Sequence, residues 1–103
     1  MAEDAAGSRL SYRVATDVVS RGVRDETVLL NLESEEYFGL DPVGTRMWQV
    51  IEETGDPEEV IRRLLEEYEV EESVLRQDLT DLIERLEKAG LLCSEDTDDG
   101  VSS

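Results

Sequence analysis

Apolar residues recur along this chain with two different periods, and the change from one to the other falls inside twelve residues, YFGLDPVGTRMW, at 37–48. Before that point β-branched and aliphatic residues dominate: Val14, Val18, Val19 and Val23, then Val28, Leu29, Leu30 and Leu32. Gly22, Asp25 and the run from Asn31 to Glu36 supply turns and breaks. The pattern predicts three strands, over about 12–22, 26–33 and 35–40. In the second, Val28, Leu30 and Leu32 share one face and Thr27, Leu29 and Asn31 the other, as a period of two requires when one side meets a core. The short polar link Glu33-Ser34-Glu35-Glu36 predicts a hairpin, and hence antiparallel pairing of the second and third strands.

After Leu40 the period becomes helical. Asp41 can accept the free N–H groups of a new helix, and Pro42 at its first position has no N–H to lose. Val43, Met47, Trp48, Val50 and Ile51 supply an apolar stripe, and Gly55 predicts the stop. The same punctuation returns in Gly55-Asp56-Pro57-Glu58-Glu59, where Asp56 caps, Pro57 starts, and Glu59 holds the third helical position of a capping box. This second helix runs to about Tyr68 and buries Val60, Ile61, Leu64 and Leu65. A third, from about Glu72 to Ala89, buries Leu75, Leu79, Leu82, Ile83 and Leu86 and ends at Gly90. Asp78, Asp81 and Arg85 share another side of it.

Three strands followed by three helices predict an α+β, winged-helix-like domain over 12–92. It lies between a flexible N-terminus, 1–11, and a disordered acidic tail, 93–103. With 27 acidic and 10 basic residues the formal charge is −17. That field repels polyphosphate, and the arginines are scattered, so nucleic acid is not an expected partner. The third helix sharpens the point: Arg76, Arg85 and Lys88 stand against Glu72, Asp78, Asp81, Glu84 and Glu87. A winged-helix DNA-binding regulator would have to set that helix against phosphate. One cysteine, Cys93, and no histidine exclude an internal disulfide framework and leave no expected metal site or cofactor. No constellation here suggests catalysis, so no catalytic residue is expected. The start of the chain, MAEDAAGSRL, lacks a basic segment followed by an apolar core, and no apolar run has the length of a span. The chain is accordingly expected in the cytoplasm, away from the membrane.

Three stretches, TVLLNLESEEYFGLDPVGTRMW, GDPEEVIRRLLEEY and VLRQDLTDLIERLEKAGLL, stand in the order, spacing and polarity typical of one family. Over about 12–92 the chain resembles the PqqD-like proteins, the recognition elements of ribosomally made, modified peptides, and most of all the short stand-alone members of lasso-peptide pathways. The resemblance implies a partner, the leader region of a precursor peptide, added as an extra strand beside the third strand and packed against the third helix. It also implies a second partner, a separate leader peptidase or other modifying enzyme. Carried onto this chain, the docking edge is Glu36, Tyr37, Phe38, Gly39 and Leu40, and the helix wall is Leu75, Asp78, Leu79, Leu82 and Arg85. Lasso leaders carry a Tyr and a Pro three residues apart, and Leu75, Leu79 and Leu82 would line an apolar pocket for them. Asp78 and Arg85 would fix register through charged or polar leader groups. The same resemblance admits service to a radical-SAM peptide-modifying enzyme.

Overall fold

The structure, a computed structural model, describes residues 10–96. The flexibility expected of 1–9 and of 97–103 concerns positions outside the described residues. In chain order the elements are β1 (Leu10–Val14), β2 (Val18–Val23), β3 (Glu26–Asn31), β4 (Glu36–Leu40), α1 (Pro42–Thr54), α2 (Pro57–Glu67), α3 (Glu72–Lys88) and β5 (Leu92–Asp96). Strands β2, β3 and β4 form a three-stranded antiparallel sheet in that order, and three helices follow, so the α+β, winged-helix-like arrangement holds.

The strand expected over 12–22 is two strands in different sheets. The chain turns at Thr16-Asp17, and β1 pairs antiparallel with β5, Val14 opposite Leu92 and Arg13 opposite Cys93. Residues 93–96, expected in the tail, are therefore laddered onto 10–13, and residues 10–11, expected in the flexible N-terminus, are part of the same ladder. Each ladder runs one residue past its strands: Ala15 N–H donates to Leu91 O at 3.1 Å beyond β1–β5, and Leu32 N–H donates to Asp17 O at 2.8 Å beyond β2–β3, on either side of the turn. No local signal announces such a pairing, because its partners lie about eighty residues apart and only loop closure by the whole domain brings them together.

The helix starts follow from the local chemistry. Asp41 accepts from Gly44 N at 2.7 Å with Pro42 at the first turn, and Gly55 ends α1 at φ 68°, with its N–H on Ile51 O. A β-carbon at Gly55 would sit 2.5 Å from the Tyr12 carbonyl oxygen, so glycine is required both by the left-handed backbone and by the passage of β1. Asp56 caps α2 by accepting from Glu58 N at 3.0 Å. The reciprocal half of the expected capping box does not form. Glu59 turns instead to Arg62 and Arg63, and the Asp56 N–H donates to Thr54 Oγ1 at 3.1 Å. A charge-assisted bond to a guanidinium outweighs a second bond to a backbone amide that a hydroxyl can serve.

The core is a single cluster of Leu29, Leu40, Met47, Trp48, Val50, Ile51, Val60, Ile61, Leu64, the α3 stripe Leu75, Leu79, Leu82, Ile83 and Leu86, and Leu91 and Leu92. The face of β3 turned to the helices carries Thr27, Leu29 and Asn31, all buried, while Leu32 on the other face is exposed. The half-polar face is the inner one because Asn31 brings its own partners. It donates to Ala89 O at 2.9 Å and Gly90 O at 3.4 Å, and accepts from Glu33 N at 2.9 Å and Ser34 N at 3.3 Å. One side chain thus ties the β3–β4 turn to the end of α3. A buried amide satisfied on both ends carries little of the usual cost of burying polarity.

Candidate functional site

β4 follows a tight turn in which Asn31 O accepts from Glu35 N at 2.7 Å with Glu35 at φ 63°, and it ends where Asp41 starts α1. It pairs only with β3 among the described residues, Leu29 opposite Phe38 and Val28 opposite Gly39. Its other edge is open. An open edge presents alternate N–H and C=O groups without ladder partners, to which an extended peptide can add. By period Glu36, Phe38 and Leu40 share the helix side, and burial deepens along it from exposed Glu36 through half-buried Phe38 to buried Leu40, while Tyr37, 74% exposed, and Gly39 are on the other face.

Beside this edge runs a cleft of about 420 Å³ between α3, the start of α1 and the α2–α3 connection. Of the helix residues expected to form a wall, Leu75, Asp78, Leu82 and Arg85 line it together. Leu79 does not. It lies 4% exposed against the opposite side of α3, with Ile61 and Ile83, so the pocket imagined from Leu75, Leu79 and Leu82 loses its middle member. The rotation of α3 decides this: Leu79 stands about 60° around the helix from Leu82, on the flank away from Asp78 and Arg85. Leu75 and Leu82 are themselves 3% and 8% exposed and so form the floor of the cleft.

Its apolar rim comes from residues that the leucine spacing hid. Val43, Val70 and Val74 line this cleft and are 36%, 44% and 51% exposed, three of the few large aliphatic side chains left open to solvent. Val43 belongs to the expected α1 stripe but faces out at its first turn. The available signal was Val70 and Val74, four apart and off the leucine stripe. Such a local gathering of exposed apolar groups marks a binding surface better than any one of them. Gly44, Met47, Tyr68, Asp41 and Asp81 complete the lining.

The edge and the cleft meet at Arg85, whose guanidinium carbon lies 5.4 Å from the centre of the Phe38 ring, a cation–π contact across the junction of β4 and α3. A second cleft, about 550 Å³, opens on the far side of α3 among Tyr12, Ile61, Leu79 and Ile83. Burial, and then the charge of Glu87, push the Tyr12 phenol up. Its aliphatic lining, Ile61, Leu79 and Ile83, is all 7% exposed or less, so it offers little apolar surface to a ligand. Among the described residues no group of carboxylates and thiol is arranged to hold a metal ion. None of the described helices is long and apolar enough to cross a membrane.

A winged-helix-like domain with an open strand edge above a valine-rimmed cleft is a framework for holding an extended chain. Residues 26–92 match the model of the family described as coenzyme PQQ synthesis protein D (PqqD), and the chain belongs to that family. Among solved structures it is similar to TbiB1, solved in complex with the TbiA(β) leader peptide, at 36% identity and TM-score 0.74. The match covers 88% of this chain and 99% of that one. It is similar also to a lasso peptide synthetase B1 complexed with the leader peptide, at 25% identity and TM-score 0.73, over 81% of this chain and 98% of the other. No curated protein matches it in sequence.

Proposed function

We propose that this protein binds the leader region of a ribosomally made precursor peptide, as a further strand on the open edge of β4, and delivers it to a separate processing enzyme, a leader peptidase of lasso-peptide biosynthesis. The observation that carries the reading is the junction of an unpaired strand edge with a cleft of exposed valines, in a chain 36% identical to one solved with a leader peptide. Main-chain bonds along Glu36–Leu40 supply affinity with little regard to sequence, and leader side chains seated against Val43, Val70 and Val74 supply selectivity. The chain acts in the cytoplasm as a binding partner, and the chemistry belongs to the enzyme it serves. The description of the family as a coenzyme-synthesis protein favours a second pathway, in which the enzyme served is a radical-SAM peptide-modifying enzyme.

The test is a titration with fluorescently labelled TbiA(β) leader, in which leader amides are N-methylated one at a time. Amides in a strand alternate between its two edges, so methylation should weaken binding at every second position across the docked segment. Gly39 offers a companion variant on the protein. A β-carbon there meets nothing within 4 Å, so Gly39→Ala should fold and bind as the parent does. Gly39→Pro should weaken binding tenfold or more, because it removes an N–H and fixes the backbone. Binding that is indifferent to every methylation, or unaltered in a Gly39→Pro protein with an intact circular dichroism spectrum, would dismiss strand addition.

A further inference from the structure

Ten basic residues share this chain with 27 acidic ones, and the structure shows where most of the arginines go. Arg13 pairs with Glu95, Arg46 with Glu67, Arg62 and Arg63 with Glu59, and Arg76 with Glu58 and Glu72. Arg85 has no ion pair among the described residues, although Asp81 stands one turn and Asp78 two turns before it on α3 and both line the same cleft. Asp81 accepts from Gln77 at 3.1 Å instead. Arg21 and Arg24 also lack such a pair, but they lie on β2 and its turn, outside this cleft. Arg85 is therefore a cation held at the junction of the docking edge and the cleft by an aromatic ring and not by a carboxylate.

A cation–π contact leaves a guanidinium's hydrogen-bonding capacity free. Its five N–H donors are served by oxygen or nitrogen acceptors, and a phenyl ring supplies none. The group best matched to that fork is a carboxylate approaching edge-on with two oxygens. The rest of the cleft is charged the other way, by Asp41, Asp78 and Asp81. An acidic side chain on a docked peptide is repelled at those positions and attracted at one, which turns a single charge into a register mark.

We propose that Arg85, positioned by Phe38, is the specificity-determining residue for an acidic side chain, Asp or Glu, of the bound peptide, and that this contact sets the register of the added strand. The proposal rests on the peptide-binding reading above and names the side-chain class that this reading leaves open.

The experiment is a selection from a random-sequence peptide display library on the parent protein and on Arg85→Glu, Arg85→Lys and Phe38→Leu. Peptides that bind the parent should carry Asp or Glu at one position fixed relative to their apolar anchors. Arg85→Glu should invert that position to Lys or Arg while leaving the anchors as they were. Arg85→Lys keeps the charge without the fork and should keep a weaker acidic preference. Phe38→Leu should keep the anchors and flatten the preference, which separates a positioning role from simple packing. For one parent-selected peptide, Asp→Asn should weaken binding to the parent about fivefold to tenfold and to Arg85→Glu not at all, with the ratio shrinking as salt is raised. Enriched peptides with no acidic position, or an acidic position that survives Arg85→Glu unchanged, would overturn the assignment of Arg85 and leave peptide binding standing. Failure to enrich any peptide would count against peptide binding itself, and the register contact would fall with it.

Discussion

Asn31→Asp exchanges one nitrogen for one oxygen at the point where the β3–β4 turn meets the end of α3, and the structure fixes the sign of its effect. The amide nitrogen donates to Ala89 O at 2.9 Å and Gly90 O at 3.4 Å, and the amide oxygen receives the turn amides of Glu33 and Ser34. An aspartate keeps the second pair and turns the first into contact between a carboxylate oxygen and two carbonyls. Losing one good and one long bond costs about 1.5 kcal/mol. Setting a negative charge on the carbonyl end of a helix adds about 0.5–1 kcal/mol. The variant should therefore lose about 2–2.5 kcal/mol at pH 7, a large part of the stability of a domain this size. Asn31→Ala gives up all four bonds but adds no charge, and water reaches the exposed turn amides, so it should lose about 2 kcal/mol. Acid separates the two variants. Protonation of the introduced carboxylate would restore a donor toward Ala89, so the folded state raises its pKa above the unfolded value. A carboxyl so raised destabilises fully at neutral pH and recovers as pH falls through its folded value. Urea melts followed by the fluorescence of buried Trp48, the single tryptophan, measure both variants against the parent at pH 7 and pH 4. If Asn31→Asp melts with the parent at pH 7, or tracks Asn31→Ala at both pH values, Asn31 is not the tie between turn and helix.

Gly55→Ala should cost more than about 2 kcal/mol, since its β-carbon would meet the Tyr12 carbonyl at 2.5 Å on a backbone at φ 68°; an unchanged melt would mean that β1 does not pass there. Leu86→Ala, at a side chain 2% exposed, should cost about 2–5 kcal/mol while the folded fraction binds leader normally, and a stable variant that fails to bind would move the groove to the other side of α3. The Glu59 carboxyl is held down at about 2 by hydrogen bonds from Arg62 and Arg63, and that of Glu67 is lowered by Arg46. Depressed carboxyls stabilise fully above the ordinary value of 4.5, and the Glu59 share is lost as pH falls through about 2. Glu59→Gln should thus melt below the parent at pH 6 and approach it near pH 2, and a constant gap across that range would deny the linkage.

What the residue order determined by itself was the local part of this structure. Asp41-Pro42 and Asp56-Pro57 begin helices because a carboxylate and a missing N–H act within one turn, and Gly55 ends one because only the backbone at that position need be left-handed. The α3 stripe from Leu75 to Leu86 was readable for the same reason, as helical spacing alone puts those side chains on one face. Even the strand at 36–40 followed from a short polar turn before it and a helix cap after it, though its place at the edge of the sheet did not. The tertiary structure decided whatever depends on which surfaces meet. It chose the Thr27-Leu29-Asn31 face of β3 as the inner one, because the end of α3 arrived with two carbonyls for Asn31. It divided a long predicted strand, because β5 returned from the far end of the chain to pair with its first half. It set Leu79 away from the cleft and placed Arg85 over Phe38, because the rotation of α3 is fixed by packing against α2 and β5 and by nothing within the helix. A side chain's neighbours a few positions away are set by bond geometry, and those at a distance are set by which arrangement buries the whole core at once.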